Sequence, residues 1–202
     1  MAAFLTKKAG TSFKHYIKAW ISHKRFLSTT STASITPFRR MFDKTTFKDY
    51  NEFYSTFKWN IPSKFNIGYE CSDYHSNIGN GNKTALIDHT SNQTYTFDDI
   101  SILSNKLSHS LQNKLNVKSG DRISILLPQS YETGVTHLST FKLGAISLPL
   151  FILFGEDALL FRLSDSETKV IVTNKECLPT ILSIRNQLPY LEHIIVTGYV
   201  RY

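Results

Sequence analysis

No acidic residue occurs before Asp43, although the same stretch holds eight lysines and arginines (Lys7, Lys8, Lys14, Lys18, Lys24, Arg25, Arg39 and Arg40). The whole chain of 202 residues carries a formal charge of +7. Its remaining fifteen basic residues meet all sixteen acidic ones, so the excess is confined to the leader. That distribution argues against a basic face on the body, the electrostatic footprint of a nucleic-acid binder. Cysteine is scarce too. Cys71 and Cys177 stand far apart without CxxC or Cys/His ligand spacing, which predicts two free thiols in a reducing compartment. The longest apolar run, Ile146 to Phe154, is interrupted by Ser147 and Pro149. It is about half the length needed to span a bilayer, so no membrane span is expected. The seven histidines form neither an HxxxH nor an HExxH pair, which argues against a metal site. No Gly-x-Ser-x-Gly elbow supports a hydrolase, and no GxGxxG turn supports a dinucleotide-binding module.

What the leader does contain is serine, threonine and cationic side chains, the composition of an organelle transit peptide. From Phe13 to Arg25 a helical period puts Phe13, Tyr16, Ile17, Trp20 and Ile21 on one side and Lys14, Lys18, Ser22 and Arg25 on the other. An amphipathic cationic helix of this kind can lie on an import receptor or on lipid headgroups, and a matrix-negative membrane potential draws it inward. The expectation is a mitochondrial transit peptide over residues 1–27 that engages the import machinery and leads to the matrix. Residues 28–46 have no period and read as a linker, and residues 47–202 read as a partial domain. Within the domain, Phe47, Tyr50, Phe53, Tyr54 and Phe57 recur at helical spacing. Few cations interleave with them, so the stripe suits packing better than base stacking.

The body alternates strands and helices. Ala85–His89 and Gln93–Phe97 flank a Thr90-Ser91-Asn92 turn and read as a β-hairpin. A capping box over Thr96–Asp99 then opens a helix with Ile100, Leu103, Leu107, Leu111 and Leu115 on one face. Strands are expected near 122–127, 145–148, 169–173 and 193–197. Between them lie helices capped by Ser130, started near Glu156, and opened by Pro179. For the second helix the core face is expected to carry Val135, Leu138 and Phe141, with Gly144 left-handed just past its end. This rhythm implies an α/β fold of alternating strand–helix units with a mostly parallel sheet, preceded by a β-hairpin and a disordered or helical leader. The alternation stops after Gly198, so a strand edge is expected to stand uncovered.

Adenylating chemistry needs a Ser/Thr/Gly-rich loop with a lysine for the triphosphate and a carboxylate for Mg²⁺. The six prolines are followed by Phe, Ser, Gln, Leu, Thr and Tyr, so no such loop ends in Pro-Lys. Gly79-Asn80-Gly81-Asn82-Lys83-Thr84 has the look of a phosphate loop, but the next residues read as a strand where a P-loop needs a helix. It is expected to be a turn only. The acidic pairs Asp98/Asp99 and Glu156/Asp157 fall at helix starts, where they complement the macrodipole.

Five stretches in order nevertheless resemble the opening of the acyl-adenylate-forming superfamily, in its AMP-forming acyl-CoA synthetase branch. They are Phe65–Asp73, Tyr95–Ile100, Gly120–Gln129, Phe141–Phe151 and Leu153–Leu159, with Phe141 where the family more often has tyrosine and Glu156 in place of proline. The resemblance implies the first part of that family's large domain, a partial fold. It further implies that the complete enzyme is a fatty acid:CoA ligase, making an acyl-adenylate and then an acyl-CoA from a small carboxylic acid, ATP with Mg²⁺, and CoA. The family's catalytic, cofactor and metal residues lie later in such chains, so no site residue carries over and no cofactor is expected on these 202 residues alone. Acetate-specific members place arginines after the strand matching Lys169–Thr173. Here Cys177–Ile181 has none, which inclines the reading to short- and medium-chain acids. The alternative is a non-catalytic remnant or interaction module of the same family.

Overall fold

The computed structural model describes residues 3–6, 16–18, 47–58 and 62–198. The chain divides into two units, one of His23–Asn66 and one of Met1–Ser22 with Ile67–Tyr202. In the smaller unit the aromatic stripe is helical, as its spacing predicts: α1 spans Tyr50–Thr56, and Asp49 caps it by accepting the Glu52 N–H at 2.9 Å. Its rings meet one another, Phe53 lying 5.1 Å from Phe47 and 5.0 Å from Phe57.

The larger unit opens with two short helices, α2 (Ile67–Glu70) and α3 (Asp73–His75), and the hairpin β3 (Thr84–Asp88) and β4 (Gln93–Thr96). Then α4 (Phe97–Leu115) starts where the capping box predicts. Thr96 N donates to Asp99 Oδ2 at 2.9 Å, and Asp99 N donates to Thr96 Oγ1 at 3.2 Å. The helix stops at Asn116, whose left-handed φ of 50° turns the chain out.

Four parallel strands follow: β5 (Arg122–Leu126), β6 (Ile146–Pro149), β7 (Val170–Thr173) and β8 (His193–Val196). They lie in the order β6-β5-β7-β8. Val170 to Thr173 are all buried, the pattern of a strand covered on both faces. On one face Leu111 and Leu115 of α4 pack on Ile123, Ile125, Val170 and Val172. On the other, α6 (Glu156–Asp165) and α7 (Leu178–Ile184) bring Leu159, Leu163, Ile181 and Ile184 against Leu126, Ile171 and Ile194. Each such fully buried leucine or isoleucine contributes about 1.5–3 kcal/mol by leaving water.

The contact between α4 and α5 (Tyr131–Lys142) departs from the sequence reading. The buried face of α5 is Val135, Thr136, Ser139 and Thr140, with Leu138 and Phe141 only half-buried. On α4, Ser104 and Ser108 are buried while Leu103 and Leu107 are half-buried. Small side chains let the helices approach, and their hydroxyls find carbonyls across the seam. Ser108 Oγ donates to Ser139 O at 3.1 Å, and Ser139 Oγ to Ser104 O at 3.0 Å. Buried polar groups are tolerable only when bonded in this way.

A charged clamp sits beside this seam. Lys142 Nζ lies 2.8 Å from Asp73 Oδ2, and it donates to Ser104 Oγ at 2.8 Å and Asn105 Oδ1 at 3.0 Å. Asn105 Nδ2 and Ser101 Oγ both donate to Asp73 Oδ1. Burial pushes the Lys142 ammonium below its ordinary range and Asp73 pulls it back up. The clamp ties the α2–α3 segment to α4 and α5. Gly68 lets α2 come so close that a Cβ there would lie 2.6 Å from Leu138 O.

The leader differs from the expected helix. Tyr16–Lys18, inside the amphipathic stretch, is a strand (β2). It pairs antiparallel with β1 (Ala3–Thr6), and β1 pairs antiparallel with β8, so the sheet reads β2-β1-β8-β7-β5-β6. The edge expected to stand uncovered is therefore occupied. Unpaired N–H and C=O groups along β8 reward any segment that can extend beside them, and Tyr-Ile is as good a strand former as a helix former. The rest of the Phe13–Arg25 stretch, the Leu27–Ser28 junction and the 28–46 linker lie outside the described residues. Among the described residues no helix is long and apolar enough to cross a membrane.

Candidate functional site

Chain direction reverses about β5. Its own crossover through α5 leads to β6 on one side, and the next crossover through α6 leads to β7 on the other. In open parallel sheets, ligands bind at the carboxyl ends of the two strands between which the order reverses, here β5 and β7. A pocket of about 240 Å³ opens one strand over, at the carboxyl ends of β5 and β6, against α5. Leu86, Ile125, Leu127 and Leu150 give it apolar walls, and Gln129, Ser130, Thr133 and His137 supply polar atoms. The volume exceeds that of a dry cavity of about 150 Å³ that accepts benzene. It falls below the range of about 300–1,000 Å³ usual for drug-sized ligands. The space suits one ring or a short acyl group.

Each wall has a local cause. Asp88 at the end of β3 accepts N–H bonds from Thr90 (2.9 Å) and Ser91 (3.2 Å), closing the hairpin turn, and from Tyr131 at 3.5 Å, fixing the hairpin on α5. Those bonds, Ser91 first, hold its carboxyl below the usual range. Tyr95 of β4 stacks on Tyr131 at 4.6 Å, and burial with the nearby Glu132 pushes the Tyr131 phenol up to about 12. Ser130 sits at the N-cap of α5, as expected, but its side chain makes no cap bond. Ser130 is among the residues that line the pocket. His137 Nδ1 lies 2.8 Å from Ser147 Oγ on β6.

Burial lowers the affinity of His137 for a proton; His193 on β8 is lowered too, chiefly by burial and against the pull of Glu192. Both shifts have one sign for stability. As pH falls below the ordinary imidazole value of about 6.5, the unfolded chain takes up protons first. The unfolding free energy is therefore expected to be full above that value and to decline between pH 7.5 and 5.5. Urea titrations at those two pH values check this, and His137→Gln and His193→Gln should each shrink the difference. An equal or larger free energy at pH 5.5 would contradict the buried-imidazole account.

The glycine-rich run does not make a phosphate cradle. Ser76–Asn80 forms a single wide helical turn with Gly79 at φ 83°, and β3 starts at Thr84, as the sequence reading expects. A Cβ on Gly81 would lie 2.2 Å from Asp98 Oδ1, so a carboxylate rather than a cation stands against the loop. Among the described residues no group of three or more His, Cys, Asp or Glu converges. These residues do not fit a triphosphate with its Mg²⁺. Cys71 and Cys177 are free thiols whose affinity for a proton is raised by burial and by the adjacent Glu70 and Glu176. None of the pocket's polar groups stood out in the sequence as chemistry. The signal that could have found them is topological: an apolar strand running straight into a helix start, Leu126 to Tyr131.

Comparison with known proteins gives a consistent picture. The model of the AMP-binding enzyme family matches residues 75–200. An acetyl-coenzyme A synthetase of Bacillus subtilis is 38% identical over 162 residues, covering 75% of this chain and 28% of that protein. A benzoate–CoA ligase of Thauera aromatica is 27% identical over 138 residues, 68% of this chain and 26% of that protein. The chain thus spans about a quarter of the length of these curated relatives. Among solved structures, the anthranilate CoA ligase AuaEII in complex with anthranoyl-AMP superposes with a TM-score of 0.64 at 30% identity, over 69% of this chain and 26% of that one. The N-terminal domain of FACL13 from Mycobacterium tuberculosis shares the fold, with a TM-score of 0.59 at 24% identity over 63% of this chain and 32% of that one.

Proposed function

The chain belongs to the AMP-binding enzyme family, and from that premise we propose that it is the amino-terminal part of a mitochondrial, ATP-dependent, AMP-forming acid:CoA ligase. The observation that carries the reading is the family match over residues 75–200, which contains four of the five ordered motifs in full. In the complete enzyme a carboxylic acid is joined to AMP and then to CoA, with Mg²⁺ beside the triphosphate. The 202 residues supply a scaffold for that site, and the absence of a Ser/Thr/Gly-rich loop ending in Pro-Lys leaves the phosphate work to other residues. A matrix location is supported by the acid-free, cationic leader.

The preferred acid is short- to medium-chain, because Cys177–Ile181 lacks the arginines of acetate-specific members. The similarity to a Bacillus subtilis acetyl-coenzyme A synthetase favours a second reading, acetate itself. ATP–pyrophosphate exchange by the complete polypeptide separates them. Butyrate or octanoate should drive exchange best; acetate as best substrate would establish the second reading, and no exchange with any acid would sink the ligase assignment. The purified 202-residue chain is expected to show none, consistent with a scaffold or a non-catalytic family member. Import of the labelled precursor into isolated mitochondria, with cleavage near Leu27–Ser28, tests the location.

A further inference from the structure

The pocket against α5 has no lysine, arginine, aspartate or glutamate in its lining, and all of its wall comes from positions 86 to 150 in the interior of the chain. An anion entering it would meet no cation, and burying an unpaired charge is costly. The one feature that attracts anions, the amino end of α5, already faces two of the chain's own carboxylates. Asp88 accepts the Tyr131 N–H at 3.5 Å, and Glu132 stands in the first turn. Burial first, and then both of these acids, hold the proton on the Tyr131 phenol. Two polar groups of the wall stay unspent. The Ser130 side chain makes no cap bond. His137 Nδ1 is engaged with Ser147 Oγ at 2.8 Å, while Nε2 has no hydrogen-bond partner among the described residues and is not shut off from solvent.

We infer that this pocket binds a small uncharged aromatic alcohol, with the ring among Leu86, Leu127 and Leu150 and the hydroxyl on His137 Nε2, and that it refuses carboxylates and phosphates. The hydroxyl follows from the histidine. If Ser147 donates to Nδ1, Nε2 carries the proton and donates to the ligand; if Ser147 accepts, Nε2 is the acceptor. A hydroxyl does both, so it satisfies either tautomer, and Ser130 Oγ is equally versatile. Burial lowers the affinity of the imidazole for a proton, so the ring offers no positive charge to an acid at neutral pH. A volume of about 240 Å³ holds one ring with a short arm and is too small for a nucleoside with its phosphates. The acid, ATP and CoA of the ligase reading are all anions, so the molecule held here is none of them.

Benzyl alcohol, toluene and benzoate share a ring and differ in the group it carries, which makes them the probes. Each is titrated at neutral pH into the full 202-residue chain, with the methyl signals of Leu86, Leu127 and Leu150 and the ring signals of His137 followed by NMR. Benzyl alcohol should shift these signals and saturate at millimolar concentration. Toluene should bind about fivefold to tenfold more weakly, the worth of one hydrogen bond, and benzoate should leave the signals in place. His137→Phe keeps a ring in the wall and removes Nε2; it should bring benzyl alcohol down to the toluene affinity and leave toluene unchanged. Toluene binding the unaltered chain as tightly as benzyl alcohol overturns the inference. So does benzoate at equal affinity, which would mark an acid pocket, and so does saturation by none of the three. The three-probe comparison needs no variant, so it decides even where His137→Phe fails to fold. No arm contains ATP or CoA, so a failure here and a failure of pyrophosphate exchange are separate results.

Discussion

Replacing Asp73 with alanine is expected to lower the unfolding free energy by about 3–5 kcal/mol, the cost of leaving a buried cation without its counter-ion. The side chains of Lys142 and Asp73 are 9% and 19% exposed, so water cannot stand in for the missing carboxylate. Asn105 Nδ2 and Ser101 Oγ lose their shared acceptor at the same time. For a domain of this size the melting temperature should fall by about 10 °C. Removing both charges, with Asp73→Leu and Lys142→Met, should recover most of the loss, since a well-packed apolar pair rarely does worse than a buried ion pair. Thermal melts of the two singles and the double form the cycle. A single Asp73→Ala that costs under about 1 kcal/mol would place this clamp with ordinary surface pairs, whose worth is of that order.

The second large effect is expected at Gly68. A Cβ there would sit 2.6 Å from Leu138 O and 2.8 Å from Lys142 N, both backbone atoms of α5 that cannot step aside. Gly68→Ala should therefore cost about 3 kcal/mol, the upper end of overpacking, by levering α2 off α5 and opening the clamp with it. Gly134→Ala makes the contrast. Its Cβ meets only Leu86 Cδ1, at 3.3 Å, the movable end of a half-buried side chain. The gain from alanine in a helix interior, about 1 kcal/mol, should leave that variant neutral or more stable. Urea midpoints of the two variants check the pair. Equal midpoints would mean that α2 is loosely held and that the close approach has no energetic weight.

These two sites also mark what the sequence could and could not tell. Ile100, Leu111 and Leu115 repeat at helical spacing and are buried as that spacing predicts. The strands near 122, 145, 169 and 193 are where their apolar runs put them, within about one residue at most ends, the usual latitude of such boundaries. Ser104, Ser108 and Ser139 escaped the reading because an apolar period is blind to a face built from small hydroxyls. Lys142 and Asp73 are 69 positions apart and nothing local announces their meeting. The pocket was hidden for the same reason: Leu86, Gln129, His137 and Pro149 become neighbours only through strand order. In the leader, Tyr16–Lys18 lies within a stretch of helical apolar spacing, and its pairing with β1, which in turn pairs with β8, is a long-range property that no local period announces.

The serine seam has a calorimetric consequence. Exposing apolar surface raises the heat capacity on unfolding, while exposing polar surface lowers it. Opening the contact between α4 and α5 releases Ser104, Ser108, Ser139 and Thr140 in place of the leucines that a helix pair ordinarily buries. The curvature of this unit's stability against temperature is then carried by its sheet faces, and the helix pair holds its grip in the cold, where oily contacts weaken.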